Sequence, residues 1–187
     1  MSAPEYVYVA SSWRNPIQPA VIDALWDARI DCYDFKMPEG GTGFSWAKVK
    51  PDSTPGVAGK GSDWETIPDY LAMVRHPRAI EGFDADFAAM EKADTFVLVL
   101  PCGKSAHLEL GWAVGAGKRT AILLDASADV MVPELMYKMV NHIATDVTDL
   151  LDWLQEDEDW NVAISEHLPA PIDVSCGAFT TVTEDPR

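Results

Sequence analysis

Thr95-Phe-Val-Leu-Val-Leu100 is an uninterrupted run of apolar and β-branched residues. It shows no polar alternation, so as a strand it needs cover on both faces. That is the condition of a central strand in a parallel sheet with a helix layer on each side. Asp94 leads into the run and the turn-forming Pro101-Cys-Gly-Lys-Ser-Ala106 ends it.

The rest of the chain alternates in the same way. Glu5-Tyr-Val-Tyr-Val-Ala10 predicts a strand, and the apolar positions Val21, Ile22, Leu25 and Trp26, with Pro16 and Pro19 near the first turn, predict a helix. Cys32 to Phe35 reads as a second, brief strand, followed by a proline- and glycine-rich loop from Lys36 to Asp63. Helices are expected over Trp64–Arg75 and Pro77–Lys92, then the buried strand, then a helix over His107–Gly115 with Gly117 as its C-terminal stop. Arg119–Leu124 predicts a strand, Val132–Val140 a helix, His142–Ala144 a strand, and an acidic helix starts at Val147. Strand alternating with helix implies an α/β fold: a doubly wound, flavodoxin- or Rossmann-like parallel sheet of about five strands.

With 187 residues, 48% hydrophobic and 24% charged, the chain suits one globular domain. That domain is expected over 1–160 with an insertion at 36–63, followed by an extension over 161–187. No apolar run approaches the ~20 residues of a membrane helix, and Met1-Ser2-Ala3-Pro4-Glu5 lacks a signal-peptide pattern, so a cytoplasmic location is expected. Cys32, Cys102 and Cys176 form no C-x-x-C pair and read as reduced thiols, with no metal site implied. A formal charge of −16 argues against a coat for duplex nucleic acid, though local donors can still hold one small anion. The stretch Asp146–Asp159 carries seven acidic residues and no Lys or Arg, which reads as a solvated helix face, with a docking surface for a basic partner as the alternative.

In such sheets ligands bind outside the strand carboxyl ends, where the strand order reverses. Two loops meet there: Ser11 to Asn15 and Pro101 to His107. Glu109 follows the second loop, in what the pattern predicts to be the first turn of a helix flanked by Leu108, Leu110, Trp112 and Ala113. A carboxylate near the core needs partners or its pKa rises. Ser105 is the expected N-cap. The residues alone leave two roles open for Glu109, half of a capping arrangement or a catalyst.

Two segments bear on that choice. They are Phe83-Asp84-Ala-Asp86-Phe-Ala-Ala-Met-Glu-Lys-Ala-Asp94-Thr-Phe-Val-Leu-Val-Leu and Leu108-Glu109-Leu-Gly111-Trp-Ala113-Val-Gly-Ala-Gly117-Lys118. Together they resemble the nucleoside 2-deoxyribosyltransferase superfamily, with its helix Asp before a buried strand and its E-[LI]-G-x-A-x-x-x-G-K pattern after it. The resemblance implies a flavodoxin-like fold, a homodimer or larger homo-oligomer, no cofactor, and cleavage of the N-glycosidic bond of a nucleoside or nucleotide. It makes Glu109 the nucleophile at the anomeric carbon and Asp86 the sugar-contacting acid, with Asp84 the other alignment of that residue. Ser12-Trp13-Arg14 is similar to the phosphate-holding S-x-R of the branch that hydrolyses 2′-deoxynucleoside 5′-monophosphates, and Ser11 opens the same loop. The base-contacting position about six residues before the nucleophile falls near Gly103. The 101–107 loop, the 36–63 insertion and the extension depart from the family pattern.

The chemistry is consistent with these residues. Glycosidic cleavage passes through an oxocarbenium-like transition state that a carboxylate stabilises or attacks. His107 is a candidate proton donor to the leaving base, with capping or packing as its other role. Ser105 or Lys104 can add donors for a phosphate, and Trp13, Trp46 and Trp64 are candidates to stack on a base, each against plain packing. His76 and His142 read as structural, and Met131, Met136 and Met139 near Tyr137 as core or interface packing. Two other functions fit the fold class: a TIR-like enzyme cleaving NAD-type dinucleotides, and a nucleotide-binding sensor without turnover.

Overall fold

In a computed structural model of the chain, the described residues are 4, 6–38, 43–46, 49, 67–124 and 133–156. Val7–Ala10 (β1), Cys32–Tyr33 (β2), Thr95–Val99 (β3), Arg119–Leu123 (β4) and His142–Ala144 (β5) form one sheet in the order β2-β1-β3-β4-β5. Every pairing is parallel. The doubly wound α/β architecture expected from the alternation is the one found, and the chain reverses direction across the sheet between β1 and β3.

Side-chain alternation along the strands builds two cores. Val7 and Val9 of β1 and Val97 and Val99 of β3 face one way, against Val21 and Leu25 of the helix Gln18–Asp27 (α1) and Leu150 and Leu154 of the helix Val147–Gln155 (α5). Tyr8 and Ala10, with Phe96 and Leu98, face the other way. That second face is covered by Met90 of Pro77–Lys92 (α3), which follows Ile67–Val74 (α2) in the chain, and by Ala106, Leu110 and Ala113 of Lys104–Gly115 (α4). All five β3 residues are buried. Each large apolar side chain so enclosed stabilises the fold by about 1.5–3 kcal/mol before entropy is counted.

Local chemistry sets the ends of the elements. Pro77 is the first residue of α3, where no donor is lost, and Nδ1 of His76 accepts from the Arg78 N–H as its cap. At the end of α4, Lys118 N–H donates to Ala113 O and Gly117 N–H to Val114 O, both at 3.0 Å. Gly117 has φ +71°, so this is a Schellman stop at the glycine expected there. The Lys118 ammonium then binds the carbonyls of Glu91 and Ala93 at the end of α3. Asp146 caps α5, whose Leu150, Trp153 and Leu154 are buried while Asp152 and Glu156 face solvent. The described part of the acidic run is therefore a solvated face; residues 157–159 lie outside the described residues. His142 bonds Asp149 at 3.0 Å and stacks on Trp153.

Four expectations need correction. The helix expected from His107 starts at Lys104, with Gly103 as N-cap and no side-chain cap, so Ser105 lies inside the helix and Glu109 in its second turn. The strand expected to Phe35 ends at Tyr33, because Oδ1 of Asp34 accepts from both Lys36 N–H and Gln18 Nε2 and turns the chain. The helix expected over Val132–Val140 is a 3₁₀ segment, Leu135–Met139, with no fully buried residue and only Tyr137 packed on the second core. Met136 and Met139 are exposed, so they are not core. Of the helix expected from Trp64, residues 64–66 lie outside the described residues, as do most of the 36–63 insertion, Met131 and the whole of 161–187.

Candidate active site

Two helix faces converge beside the sheet's reversal point. On α4 Ser105, Leu108, Glu109 and Trp112 recur at the i, i+3, i+4, i+7 spacing of one face; Ala79, Gly82, Phe83 and Asp86 do the same on α3. These residues line a cavity of about 620 Å³, together with Phe44, Trp46 and Phe87. Phe83 stacks on Phe87, and Phe87 meets Trp112 edge-on at 5.5 Å. Apart from Asp86, Ser105 and Glu109, the lining is apolar, aromatic or glycine, and no Lys or Arg belongs to it among the described residues.

Gly82 makes one wall possible. A Cβ there would stand 2.7–2.8 Å from Phe44, so the ring lies directly on the α3 backbone. Trp46 meets Phe44 edge-on at 4.9 Å. A second cavity of about 500 Å³ shares Phe44, Gly82 and Asp86 and also involves Arg78, Glu81 and Tyr33.

Each carboxylate has its own phenol. The Tyr33 hydroxyl donates to Oδ1 of Asp86 at 2.8 Å, and the Tyr8 hydroxyl hydrogen-bonds the Glu109 carboxylate. The two rings stack at 5.4 Å because β1 and β2 pair Tyr8 with Tyr33. Burial pushes Glu109 up to about 7, the nearby Asp86 charge adds to the rise, and the Tyr8 hydrogen bond opposes it. Burial also raises Asp86, again against its tyrosine. Desolvation drives both phenols well above their ordinary value, so they remain donors at any physiological pH. Two carboxylates in an apolar cavity, one poised near neutrality, can divide proton-donating from charge-stabilising or nucleophilic work.

Glu109, Asp86, Ser105 and Trp46 are thus brought together. The other expected residues lie elsewhere. Asp84 is exposed on α3. His107 is held by Gly103 O at Nδ1 and by the Tyr137 hydroxyl at Nε2, both at 2.9 Å, with Cys102 Sγ at 3.5 Å, and it is not part of the cavity lining. Burial raises the Cys102 thiol to about 11. Gly103 is the α4 N-cap. Ser11 Oγ donates to Val99 O, and Ser12 Oγ accepts from the Arg14 N–H. Trp13 and Arg14 are exposed, with the Trp13 ring edge-on to Phe35. Trp64 lies outside the described residues. Sequence reading missed Tyr8, Tyr33 and Asn15. The alternation of Tyr6, just before β1, with Tyr8 was the available signal for the first, and the neighbouring loop explains the last. Nδ2 of Asn15 donates to Ser11 Oγ, Val99 O and Pro101 O, while its Oδ1 accepts from Ile17 and Gln18 N–H.

Among the described residues no three His, Cys, Asp or Glu side chains are grouped to hold a metal ion, and no helix is long and apolar enough to cross a membrane. No family model matches the chain, and no curated protein does either. Among solved structures it is similar to a 2-deoxyribosyltransferase from Bacillus psychrosaccharolyticus, at 15% identity and TM-score 0.45, covering 84% of this chain and 94% of that one. It is also similar to the CMP N-glycosidase of Clostridium botulinum, at 16% identity and TM-score 0.43, covering 80% of this chain and 96% of that one.

Proposed function

We propose that this chain is an enzyme that breaks the N-glycosidic bond of a nucleoside or nucleotide, with Glu109 as the nucleophile. The observation that carries the reading is the joint placement of Glu109 and Asp86 in one apolar cavity, each with a tyrosine hydroxyl. The sequence resemblance to the deoxyribosyltransferase superfamily assigns these same two positions to the reacting carbon and the sugar.

The C–N bond breaks with its electron pair leaving on the base. Positive charge then develops at the anomeric carbon beside the Glu109 carboxylate, which closes on it as an ester. Water, or a second base in a transfer, attacks that carbon, releasing the carboxylate; the departing base gains the proton that the attacking group loses. Asp86, held by Tyr33, accepts a hydrogen bond from a sugar hydroxyl. A dry, apolar wall raises the effective strength of each of these charges.

Ser12 and Arg14, with Lys104 or Ser105 at the start of α4, are the proposed phosphate donors, which makes a 5′-monophosphate the preferred form. Self-association, through apolar surface such as Ile67, Tyr70, Leu71 and Val74 on α2, is proposed with it. The test is incubation with nucleosides, their 5′-monophosphates and NAD, read as free base by chromatography. Base release from a nucleoside or its monophosphate that Glu109→Gln abolishes is the expected result. Release of nicotinamide alone, or unchanged turnover by Glu109→Gln, overturns the assignment.

A further inference from the structure

We infer that Lys118 is a positioning residue for the reaction: its ammonium ties the end of α3, the helix of Asp86, to the row of rings that supports Glu109. This rests on the glycosidic reading of the cavity, because what it sets is the reactive arrangement of those two acids. Lys118 is not part of the cavity lining. The turn before it sends it to α3. Gly117, at φ +71°, reverses the chain after α4, and Lys118 N–H closes the stop on Ala113 O. The side chain then crosses to α3, where Nζ donates to Glu91 O at 2.9 Å and to Ala93 O. The last carbonyls of a helix lack intrahelical partners and carry the negative end of its dipole, so donors and charge both hold a cation there. Asp86 lies less than two turns before that end.

The same ammonium stands 5.5 Å from the Trp112 ring centroid and 6.0 Å from that of Phe96. Both are within reach of a cation–π contact. Each ring leads to an acid. Phe96 stacks on Tyr8 at 4.9 Å, and Tyr8 both stacks on Tyr33 and hydrogen-bonds Glu109. Strand register fixes this row, setting Tyr33, Tyr8 and Phe96 side by side on β2, β1 and β3. Trp112 meets Phe87 edge-on, and Phe87 follows Asp86 on α3. The row belongs to the sheet and α3 does not, so one ammonium joins the helix of one acid to the support of the other. Removing it frees the end of α3 to move against the row. The Asp86–Tyr33 hydrogen bond, at 2.8 Å, spans that junction and registers the movement. An error of about 1 Å in placing a reacting group can cost about 100-fold in rate.

The test compares the full chain as wild type, Lys118→Met, Lys118→Gln and Lys118→Arg. Methionine matches the length without charge or donors, whereas arginine keeps both. Glutamine keeps a donor without the charge and carries the comparison should the methionine variant not fold. Two readouts are taken where each variant is folded. One is release of free base from the common 2′-deoxynucleosides and their 5′-monophosphates; the other is the tyrosine ring resonances in NMR, with Tyr33 assigned through Tyr33→Phe. Lys118→Met is expected to lower kcat by about 10- to 100-fold with KM changed less than about 3-fold. It should also displace the Tyr33 resonances, and Lys118→Arg should restore both readouts. Tyr33 resonances that stay in place in Lys118→Met overturn the inference, as do equal losses in Lys118→Arg and Lys118→Met. If Lys118→Met releases base at the wild-type kcat and only melts earlier, Lys118 is a stabilising residue, the inference fails and the glycosidic reading stands. If wild type releases no base while Lys118→Met displaces the Tyr33 resonances and Lys118→Arg restores them, the tie stands and the glycosidic reading fails.

Discussion

Tyr8 and Tyr33 stack on one another while their hydroxyls serve different carboxylates, Tyr8 that of Glu109 and Tyr33 that of Asp86. The pairing of β1 with β2 fixes the two rings, and α3 and α4 bring the acids to them. A neutral phenol stabilises a buried carboxylate without cancelling its charge. An ammonium or guanidinium in the same place would neutralise the nucleophile. The two tyrosines thus offset part of the burial penalty and leave both acids free to act on positive charge in a substrate.

Tyr33→Phe should therefore act on Asp86. Removing the hydroxyl takes away the hydrogen bond that holds Asp86 down, so its pKa rises further. Loss of a hydrogen bond to a charged group costs about 1.5–3 kcal/mol, which predicts a fall of about 10-fold or more in kcat/KM. The loss should deepen toward acid pH, where Asp86 gains its proton. A uniform fall across pH would mean that Tyr33 only packs.

Glu109 must be ionised to attack. With its carboxyl at about 7, kcat/KM should rise with pH up to about that value and then level. Tyr8→Phe removes the interaction that opposes the rise and should push the inflection higher still. A limb near the ordinary carboxylate value would show that another group controls the rate.

The same burial predicts a stability effect of known sign. Unfolded, Glu109 titrates at 4.5; folded, at about 7. Below pH 4.5 it is protonated in both states and costs nothing. As pH rises through 7 the folded state comes to hold a poorly solvated charge, and stability falls by up to about 3 kcal/mol. Glu109→Gln, whose amide can still accept from Tyr8, should match wild type at pH 4 and exceed it at pH 8.5 by denaturant melts. Equal destabilisation at both values would make Glu109 a structural residue.

Much of this architecture could be read in advance because it is local. The apolar run of β3, Pro77 at the start of α3 and Gly117 after α4 each state their role through backbone preference or burial. The α4 start did not announce itself, because Gly103 caps it with backbone conformation alone, whereas Ser105 looks like the usual cap. Asp86 and Glu109 were legible as candidates through the motif around them. Their phenols were not, since Tyr8 and Tyr33 are separated by 25 positions and become neighbours only through strand register. The loop tie made by Asn15 was hidden for the same reason: its partners lie on β3 and the turn after it.

Arg14 lies exposed in the loop after β1. If it binds a phosphate equally in ground and transition states, Arg14→Ala should raise KM for a 5′-monophosphate several-fold with kcat little changed. The corresponding nucleoside, lacking the phosphate, should be turned over as before. Equal losses on both substrates would show that Arg14 shapes the loop instead, and unchanged kinetics on both would remove it from the site.

Asn15 tests how firmly that loop is anchored. The residue is 3% exposed, and its one amide both accepts from Ile17 and Gln18 N–H at the entry to α1 and joins Ser11 to the carbonyls of Val99 and Pro101. Asn15→Ala strands several buried donors and acceptors at once, which should cost about 2–4 kcal/mol. Ser12→Ala, losing only a hydroxyl that accepts from the Arg14 N–H at 3.2 Å, should cost about 1 kcal/mol or less. Urea midpoints with an unchanged slope measure both. If the two variants melt alike, the corner between β1 and β3 is held by packing, and the Asn15 amide is dispensable.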